Sequence, residues 1–313
     1  MQILVTGGAG FIGSHLIERL LAHEINVVCY DNFDPFYDAG IKRANLYHAM
    51  QHSNFKLIEA SILDYTTLNT CFENYKIDLV IHLAAKAGVR PSIADPMSYY
   101  ETNVDGTLNV LEAMKHHSVK KMVFASSSSV YGNNAKVPFS ESDFVDHPIS
   151  PYAASKKAAE LICHTYHHLY GFDIFCMRFF TVFGPRQRPD LAIHKFAELI
   201  LNEQTLPIYG DGSSSRDYTY IEDIIDGLMK AIDNLNGYNI FNLGESRTIT
   251  LLQMVESVQK HIGKKAKINS LPMQLGDVLT TFADISKAKE ILGYNPSWSF
   301  DEGIKKFIEW KRS

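Results

Sequence analysis

Short apolar runs punctuate the first part of the chain. Ile3–Thr6, Val27–Tyr30, Phe55–Glu59, Leu79–Leu83, Met122–Ser126 and Ile174–Arg178 read as strands, being short, rich in branched and aromatic residues, and bounded by polar stretches. Between them, 12–22, 41–51, 65–74, 98–117 and 152–170 carry apolar residues at helical spacing. Such alternation predicts parallel strands joined by right-handed crossovers, with helices on both faces of one doubly wound sheet. After Arg178 the rhythm breaks, and Gly184–Pro185, Pro189 and the run 210–215 mark loops. A helix over 221–233 and a strand over 238–242 resume it. The stretch 250–313 reads as helices joined by turns, with stops at Gly293 and Pro296. The expectation is an α/β fold in two units. Residues 1–180 plus 221–243 hold the sheet, and 181–220 plus 244–313 form a smaller, mostly C-terminal α/β unit.

Residues 7–13 read Gly-Gly-Ala-Gly-Phe-Ile-Gly, directly after the first strand and opening the first helix. Glycines there let backbone approach a pyrophosphate, and the helix start aims N–H groups and positive dipole at the anion. Asp31 ends the second strand, 18 positions after Gly13. A carboxylate at that place accepts a hydrogen bond from a ribose 2′-hydroxyl and repels a 2′-phosphate, which favours NAD over NADP. The plain alternative is a glycine-rich turn that binds nothing; the strand–turn–helix setting and Asp31 weigh against it.

Tyr152 and Lys156 lie four apart in Ser-Pro-Tyr-Ala-Ala-Ser-Lys, on one face of a predicted helix. Pro151 suits its first turn and Ser150 its cap. A phenol titrates near pH ~10; an adjacent ammonium and a bound nicotinamide cation both favour the phenolate. Ser126, Ser127, Ser128 and Ser129 follow a strand, at the sheet end where open α/β folds bind ligands. One hydroxyl there can share a substrate proton with the tyrosine. A Tyr-x-x-x-Lys pair alone is common on surface helices, and only its company makes it catalytic.

Composition narrows the class. The chain has 313 residues, 30 Lys+Arg against 35 Asp+Glu, a net charge of −5 and 46% hydrophobic residues. That suits a large core, and the balance offers no basic surface for nucleic acid. No apolar stretch is long enough to span a bilayer, and no leader is visible, so a cytoplasmic protein is expected. Cys29, Cys71, Cys163 and Cys176 form no paired motif and read as isolated thiols of a reducing compartment. The 13 histidines, among them His116–His117 and His164, His167 and His168, lack an acidic partner at ligand spacing, so no metal is expected.

Taken together, GGAGFIG, Asp31–Asn32, HLAAKAGVRPS at 82–92, Asn103–Val104, SSSSVYG, SPYAASK, RFFTVFGPRQRPD at 178–190 and GDGSSSRDYTYIEDI at 210–224 resemble the extended short-chain dehydrogenase/reductases of the nucleotide-sugar epimerase/dehydratase group. The resemblance spans essentially the whole chain. It implies a Rossmann-type sheet with a substrate domain, bound NAD, a UDP-sugar substrate and a homodimer formed through two helices per subunit, here 98–117 and 152–170. It makes Tyr152, Lys156 and Ser127 the catalytic set. Dinucleotide contacts carry over onto Gly7, Gly10, Phe11, Ile12, Gly13, Asp31, Asn32, Leu83, Ala84, Lys86, Asn103, Tyr152, Lys156 and Phe180. Ser61–Ile62 stands where relatives often carry Asp-Ile against adenine. In the substrate half, Pro207, Ile208 and Tyr209 would line the uracil site and Arg216 would pair with the diphosphate. Asp277 would hold ribose hydroxyls, and Gln274 replaces an arginine usual in hexose epimerases.

All these relatives begin by oxidising the sugar at C4. Dehydratases then use an acidic pair, and decarboxylases a glutamate, where this chain has Ser128 and Ser129. Neither hydroxyl serves as acid or base near neutral pH, so simple 4-epimerisation is expected. Hexose epimerases usually have Asn where this chain has Thr181. The stretches DNFDPFYD, AAKAGVRPS and MQLGDV resemble UDP-glucuronate 4-epimerases. Thr181, Arg188, Ser128 and Ser129, with Arg90 as a further cation, are the candidates to hold a C6 carboxylate; Arg188 in an ordinary surface ion pair is the plain alternative. The rival readings are a UDP-glucose or UDP-N-acetylglucosamine 4-epimerase, a UDP-glucuronate decarboxylase, and an NAD-sensing protein without turnover.

Overall fold

The computed structural model describes residues 1–272 and 280–313. In chain order the first elements are β1 (Gln2–Thr6), α1 (Phe11–Ala22), β2 (Asn26–Asp31), α2 (Ala39–Asn45), β3 (Phe55–Glu59), α3 (Tyr65–Asn74), β4 (Leu79–His82), α4 (Val89–Ala94), α5 (Pro96–Tyr100), α6 (Gly106–His116), β5 (Lys121–Ser127), α7 (Pro151–Tyr170) and β6 (Asp173–Phe179). There follow β7 (Thr181–Phe183), α8 (Ala192–Leu201), β8 (Thr205–Tyr209), β9 (Ser215–Arg216), β10 (Tyr218–Tyr220), α9 (Ile221–Asn234), β11 (Tyr238–Leu243), β12 (Ile249–Thr250), α10 (Leu251–Ile262), β13 (Lys267–Leu271), α11 (Ser286–Leu292) and α12 (Phe300–Arg312).

The chain divides into two compact units. The first comprises 1–132, 144–178 and 227–241, and the second 133–143, 179–226 and 242–313. The first is built on a seven-stranded sheet of order β11-β6-β5-β4-β1-β2-β3. Registered parallel pairs join β1 to β2 and β4, β2 to β3, and β4 to β5. Asp173 N donates to Lys120 O and Ile174 N to Gly237 O, so β6 starts level with its neighbours β5 and β11. Strand order reverses between β1 and β4, the crevice where such sheets bind ligands. The inner strands are apolar at most positions because both faces are covered, whereas the edge strand β3, Phe55–Glu59, keeps Lys56 and Glu59 exposed. Leu4, Val28, Val80, Met122, Phe124 and Ile174 pack with Phe72 of α3, Met114 of α6 and Cys163 of α7. The alternate residues Ile3, Val5, Val27, Cys29 and Ile81 are buried too.

The expected helix over 98–117 is interrupted. α5 passes into a π-turn over Glu101–Asp105 before α6 begins. The wider turn frees the Asn103 side chain for partners outside the helix, and Gly106 sits so close to Ile62 that a Cβ would lie 2.5 Å from its Cδ1. The expected helix over 41–51 stops at Asn45, with a 3-10 turn at Ala49–Gln51.

The second unit holds three two-stranded pairs: β7 with β10, β8 with β13, and β9 with β12. Segment 133–143 belongs here because Phe139 N donates to Phe282 O, and Asn242 Nδ2 donates to Phe139 O. Between 181 and 220 the sequence reading names only the loops at Gly184–Pro185, Pro189 and 210–215 and so overlooks α8, β8 and the short strands, and reading 250–313 as helices joined by turns overlooks β13. The reason is visible in β13: Lys267–Ser270 is exposed throughout and offers no alternation to detect. Among the described residues no helix is long and apolar enough to cross a membrane, and no group of three His, Cys, Asp or Glu side chains is placed to hold a metal. All four cysteines are buried free thiols.

Candidate active site

The glycine turn follows β1. Gly7 adopts φ +70°, and a Cβ there would fall 2.6 Å from Ala84 N; at Gly13 it would fall 2.4 Å from Gly7 O. Those two glycines let α1 and the loop after β4 close on the strand end. A Cβ on Gly10 would lie 3.2 Å from Gly7 O, a tight contact, with no other heavy atom outside its own neighbours within 4 Å. Gly10 is also the N-cap of α1 and brings no side chain to the first-turn amides of Phe11, Ile12 and Gly13. These groups suit a pyrophosphate. Asp31 Oδ2 accepts from Ala9 N at 2.9 Å and Oδ1 from Phe33 N at 2.8 Å. Burial raises the pKa of this carboxylate, opposed by both N–H donors and by Lys42. Each Asp31 oxygen keeps a lone pair for a ribose hydroxyl. Asn32 is exposed beside it. Ser61 Oγ accepts from Leu63 N, and Ile62 is buried against Gly106. The chain's own residues therefore fit an NAD-type dinucleotide.

A buried hydrogen-bonded chain joins this cradle to α7. Thr6 Oγ1 meets His82 Nδ1 at 2.6 Å and accepts from Ala84 N, while Leu83 N donates to Thr6 O. His82 Nε2 meets Thr107 Oγ1 at 3.0 Å, and Thr107 donates to Asn103 O. Burial holds the His82 pKa down at about 3, so the ring is neutral. The Asn103 amide exchanges hydrogen bonds with both N and O of Lys86 and donates to Ser155 Oγ. Ser155 in turn donates to Tyr152 O. Asn103 thus spends both amide hydrogens on protein groups and fixes the Lys86 backbone, while its Oδ1 keeps a lone pair.

α7 begins as its sequence dictates: Ser150 Oγ accepts from Ala153 N, Pro151 fills the first turn, and Gly171 ends the helix at φ +64°. Tyr152 is half-buried and meets Tyr99 edge to face at 6.2 Å between ring centroids. One turn on, Lys156 is buried and donates to Ala125 O at 2.7 Å. Burial lowers its pKa to about 8. Ser127, at the end of β5, caps the 3-10 turn Ser128–Tyr131 through Ser129 N. Ser128 and Ser129 are half-buried beside it and Arg90 is exposed on α4. Tyr152, Lys156 and Ser127 thus belong to one unit, with Lys156 bonded two residues before Ser127.

In the second unit, Asp217 is buried and accepts from Glu245 N, Ser246 N and Ala283 N at 2.7–3.0 Å. Burial raises its pKa to about 6 against those donors. It stitches three segments together next to Arg216, whose Nη1 donates to Ser215 O. Thr181 N donates to Asp217 O and Phe180 N to Leu243 O; Phe180 is buried. Arg188 points its fork at Asp190, with Nε at 2.9 Å from Oδ1 and Nη2 at 2.7 Å from Oδ2. Ile208 is buried, so alternation along β8 leaves Pro207 and Tyr209 on the more accessible side. Gln274 and Asp277 lie outside the described residues.

Sequence reasoning passes over two side chains next to this set, Glu160 on α7 and Arg178 on β6. Glu160 and Arg178, each 1% exposed, form a two-pronged ion pair at 2.8 Å, and Ser126 Oγ donates to Glu160 Oε1 at 2.6 Å. The signal was available: Glu160 continues the four-residue spacing of Tyr152 and Lys156.

Comparison with known proteins places the whole chain in a family. The family model for GDP-mannose 4,6 dehydratase matches residues 4–307. A UDP-glucuronate 4-epimerase of Thermodesulfobacterium geofontis is 46% identical over 310 residues, covering 99% of this chain and 95% of that one. The UDP-glucuronic acid 4-epimerase of Bacillus cereus, crystallised with UDP-glucuronic acid and NAD, superposes with TM-score 0.94 at 38% identity, covering 100% of this chain and 99% of that one. The UDP-glucose 4-epimerase of Thermotoga maritima, crystallised with UDP-glucose, gives 0.92 at 34% identity and the same coverage. With its glycine cradle, its Tyr-x-x-x-Lys helix and this whole-length similarity, the chain belongs to the GDP-mannose 4,6 dehydratase family of NAD-dependent nucleotide-sugar epimerases and dehydratases.

Proposed function

We propose that this enzyme is an NAD-dependent UDP-sugar 4-epimerase whose substrate pair is UDP-glucuronate and UDP-galacturonate. The observation that carries the reaction class is Tyr152 and Lys156 on successive turns of α7, with Lys156 bonded to the strand that ends in Ser127. Tyr152 takes the proton from the C4 hydroxyl and later returns it. Lys156 favours the phenolate by its charge, and Ser127 hydrogen-bonds the same sugar oxygen. Bound NAD supplies the acceptor and then the donor of the C4 hydride. The sugar turns between the two transfers, so hydride returns to the opposite face.

Uronate as the sugar is supported by Ser128 and Ser129 in place of acidic groups, by Thr181, and by the relatives named above. Arg188 already holds a carboxylate in its fork, that of Asp190; exchanging it for the C6 carboxylate keeps the same planar geometry. Such a clamp has a chemical purpose. Oxidation at C4 gives a β-keto acid, which loses CO₂ when the breaking bond lies along the carbonyl π system, and a fixed carboxylate avoids that alignment. In this reading Tyr209 and Arg216 bind the nucleotide, and Asp277 and Gln274, which lie outside the described residues, are the candidates for its ribose and diphosphate. Exposed Met97, Leu108, Leu161 and Leu169 on α5, α6 and α7 support pairing with a second copy of the chain.

The test is incubation of purified protein with UDP-glucuronate, UDP-glucose and UDP-N-acetylglucosamine, with products resolved by NMR. Uronate epimerisation without pentose is expected. Turnover of the neutral sugars alone would overturn the uronate choice; turnover of none would overturn the enzyme.

A further inference from the structure

Three groups on α7, at positions 152, 156 and 160, are four residues apart and share a face. Two of them reach β5 in register. Lys156 Nζ donates to Ala125 O at 2.7 Å, and one turn on Glu160 Oε1 accepts from Ser126 Oγ at 2.6 Å. The next residue along the strand is Ser127. Behind Glu160 stands Arg178, near the end of β6, whose Nε and Nη2 each donate to a different carboxylate oxygen at 2.8 Å. The guanidinium also lies 4.8 Å from the centroid of the Tyr131 ring, at the far end of the turn that Ser127 caps. Tyr238 of β11 donates to Glu160 O from the other side.

Burying this pair is expensive. Two charges removed from water lose several kcal/mol of hydration each, and apolar residues of like volume would serve stability as well or better. Cys163 and Ala159, neighbours of Glu160 on the helix, show that the same surface accepts apolar side chains.

We propose that Glu160 is a positioning residue for the catalytic set: held by Arg178, it pins Ser126 to α7 and so fixes Ser127 at its height against Tyr152 and Lys156. The proposal rests on the reading of Tyr152, Lys156 and Ser127 as the catalytic groups. Glu160 carries a second consequence through its charge. The groups facing Lys156 are Glu160 and Cys163 on α7, Cys176 on β6 and the neutral His82 on β4. Burial lowers the Lys156 pKa, and of its neighbours Glu160 is the carboxylate that opposes the fall.

The experiment uses the dinucleotide-loaded enzyme and whichever UDP-sugar the wild type turns over, so the identity of the sugar is settled before any variant is read. Ser126→Ala leaves the Glu160–Arg178 pair intact and removes only the tie. We expect kcat to fall roughly 10- to 100-fold, as small misplacements at reacting centres do, with KM within about threefold and the melting temperature near wild type. Glu160→Gln should lower kcat further and move the alkaline limb of the kcat profile down by about one pH unit, since the ammonium loses a facing charge. Glu160→Asp keeps the charge and shortens the reach; it should restore the limb and leave kcat depressed. Wild-type kcat in Ser126→Ala overturns the proposal, as does an unmoved alkaline limb in a folded Glu160→Gln. If Glu160→Gln does not fold, Ser126→Ala alone decides.

Discussion

Replacing Lys156 by methionine should make the protein more stable while destroying its activity. Lys156 is buried, and burial drops its pKa from an ordinary 10.5 to about 8. Each unit of pKa corresponds to about 1.4 kcal/mol, so keeping the ammonium charged at pH 7 costs the fold about 3 kcal/mol. Methionine fills similar volume without that cost. It also leaves Ala125 O without the Lys156 hydrogen bond, a loss of about 1 kcal/mol. The net gain is about 2 kcal/mol at pH 7, a rise of about 3 °C in Tm for a chain of this size. The pH dependence fixes the sign. Between pH 8 and 10.5 the unfolded chain holds the Lys156 proton and the native chain does not, so wild-type stability rises with pH there. Below pH 8 both states hold it and the penalty is constant. Melting of wild type and Lys156→Met, both stripped of dinucleotide, should therefore show a gap at pH 7 that closes and reverses toward pH 10. Reading the difference between the two proteins cancels titrations they share. A variant that melts at or below wild type at pH 7, or a gap that stays constant with pH, would refute the reasoning.

Two further outcomes follow from the same geometry. Asp31→Asn should narrow the preference for NAD over NADP by at least about tenfold in dinucleotide titrations, because unlike a neutral amide a carboxylate ~4 Å from a phosphate costs on the order of 4 kcal/mol at an effective dielectric of ~20; an unchanged ratio would remove Asp31 from the ribose site. Light scattering should give twice the chain mass, and charge at both Leu161 and Leu169, which are exposed on α7, should halve it; a monomeric wild type would sink the paired arrangement.

The sheet was legible because its strands are covered on both faces. The inner ones become nearly unbroken apolar runs, the edge strands β3 and β11 keep polar positions among apolar ones, and the residues between them alternate at helical spacing, so the expected strands fall on β1 to β6 and β11. The glycine turn and the Ser150–Pro151 start of α7 were equally plain, since each depends on local backbone demands that a few residue types meet. What stayed hidden depends on distant partners. The π-turn at Glu101–Asp105 exists to deliver Asn103 to Lys86 and Ser155, residues 17 and 52 positions away, and helical periodicity carries no trace of it. β8 and β13 pair with each other across more than fifty residues while β13 is exposed, so neither local pattern nor burial marks β13. Ile208 is buried on the inner side of β8, which follows from the direction the strand faces.

α7 departs from a plain amphipathic helix. Its core face carries Ala159, Cys163 and Tyr166, which satisfy an amphipathic pattern and explain the helix entirely. Alongside runs a second buried line, Lys156 and Glu160, that violates the pattern, since neither is found in a core unless paired. Each violation has its answer on a neighbouring strand: Ala125 O and Ser126 on β5, and Arg178 on β6. A helix that packed for stability alone would have no reason to keep both charges, and the fold loses stability by doing so at Lys156. Hydrophobic periodicity fails at two positions one turn apart, and the failures lead on from Tyr152 at the same spacing; that irregularity supports the proposal that α7 works on a substrate.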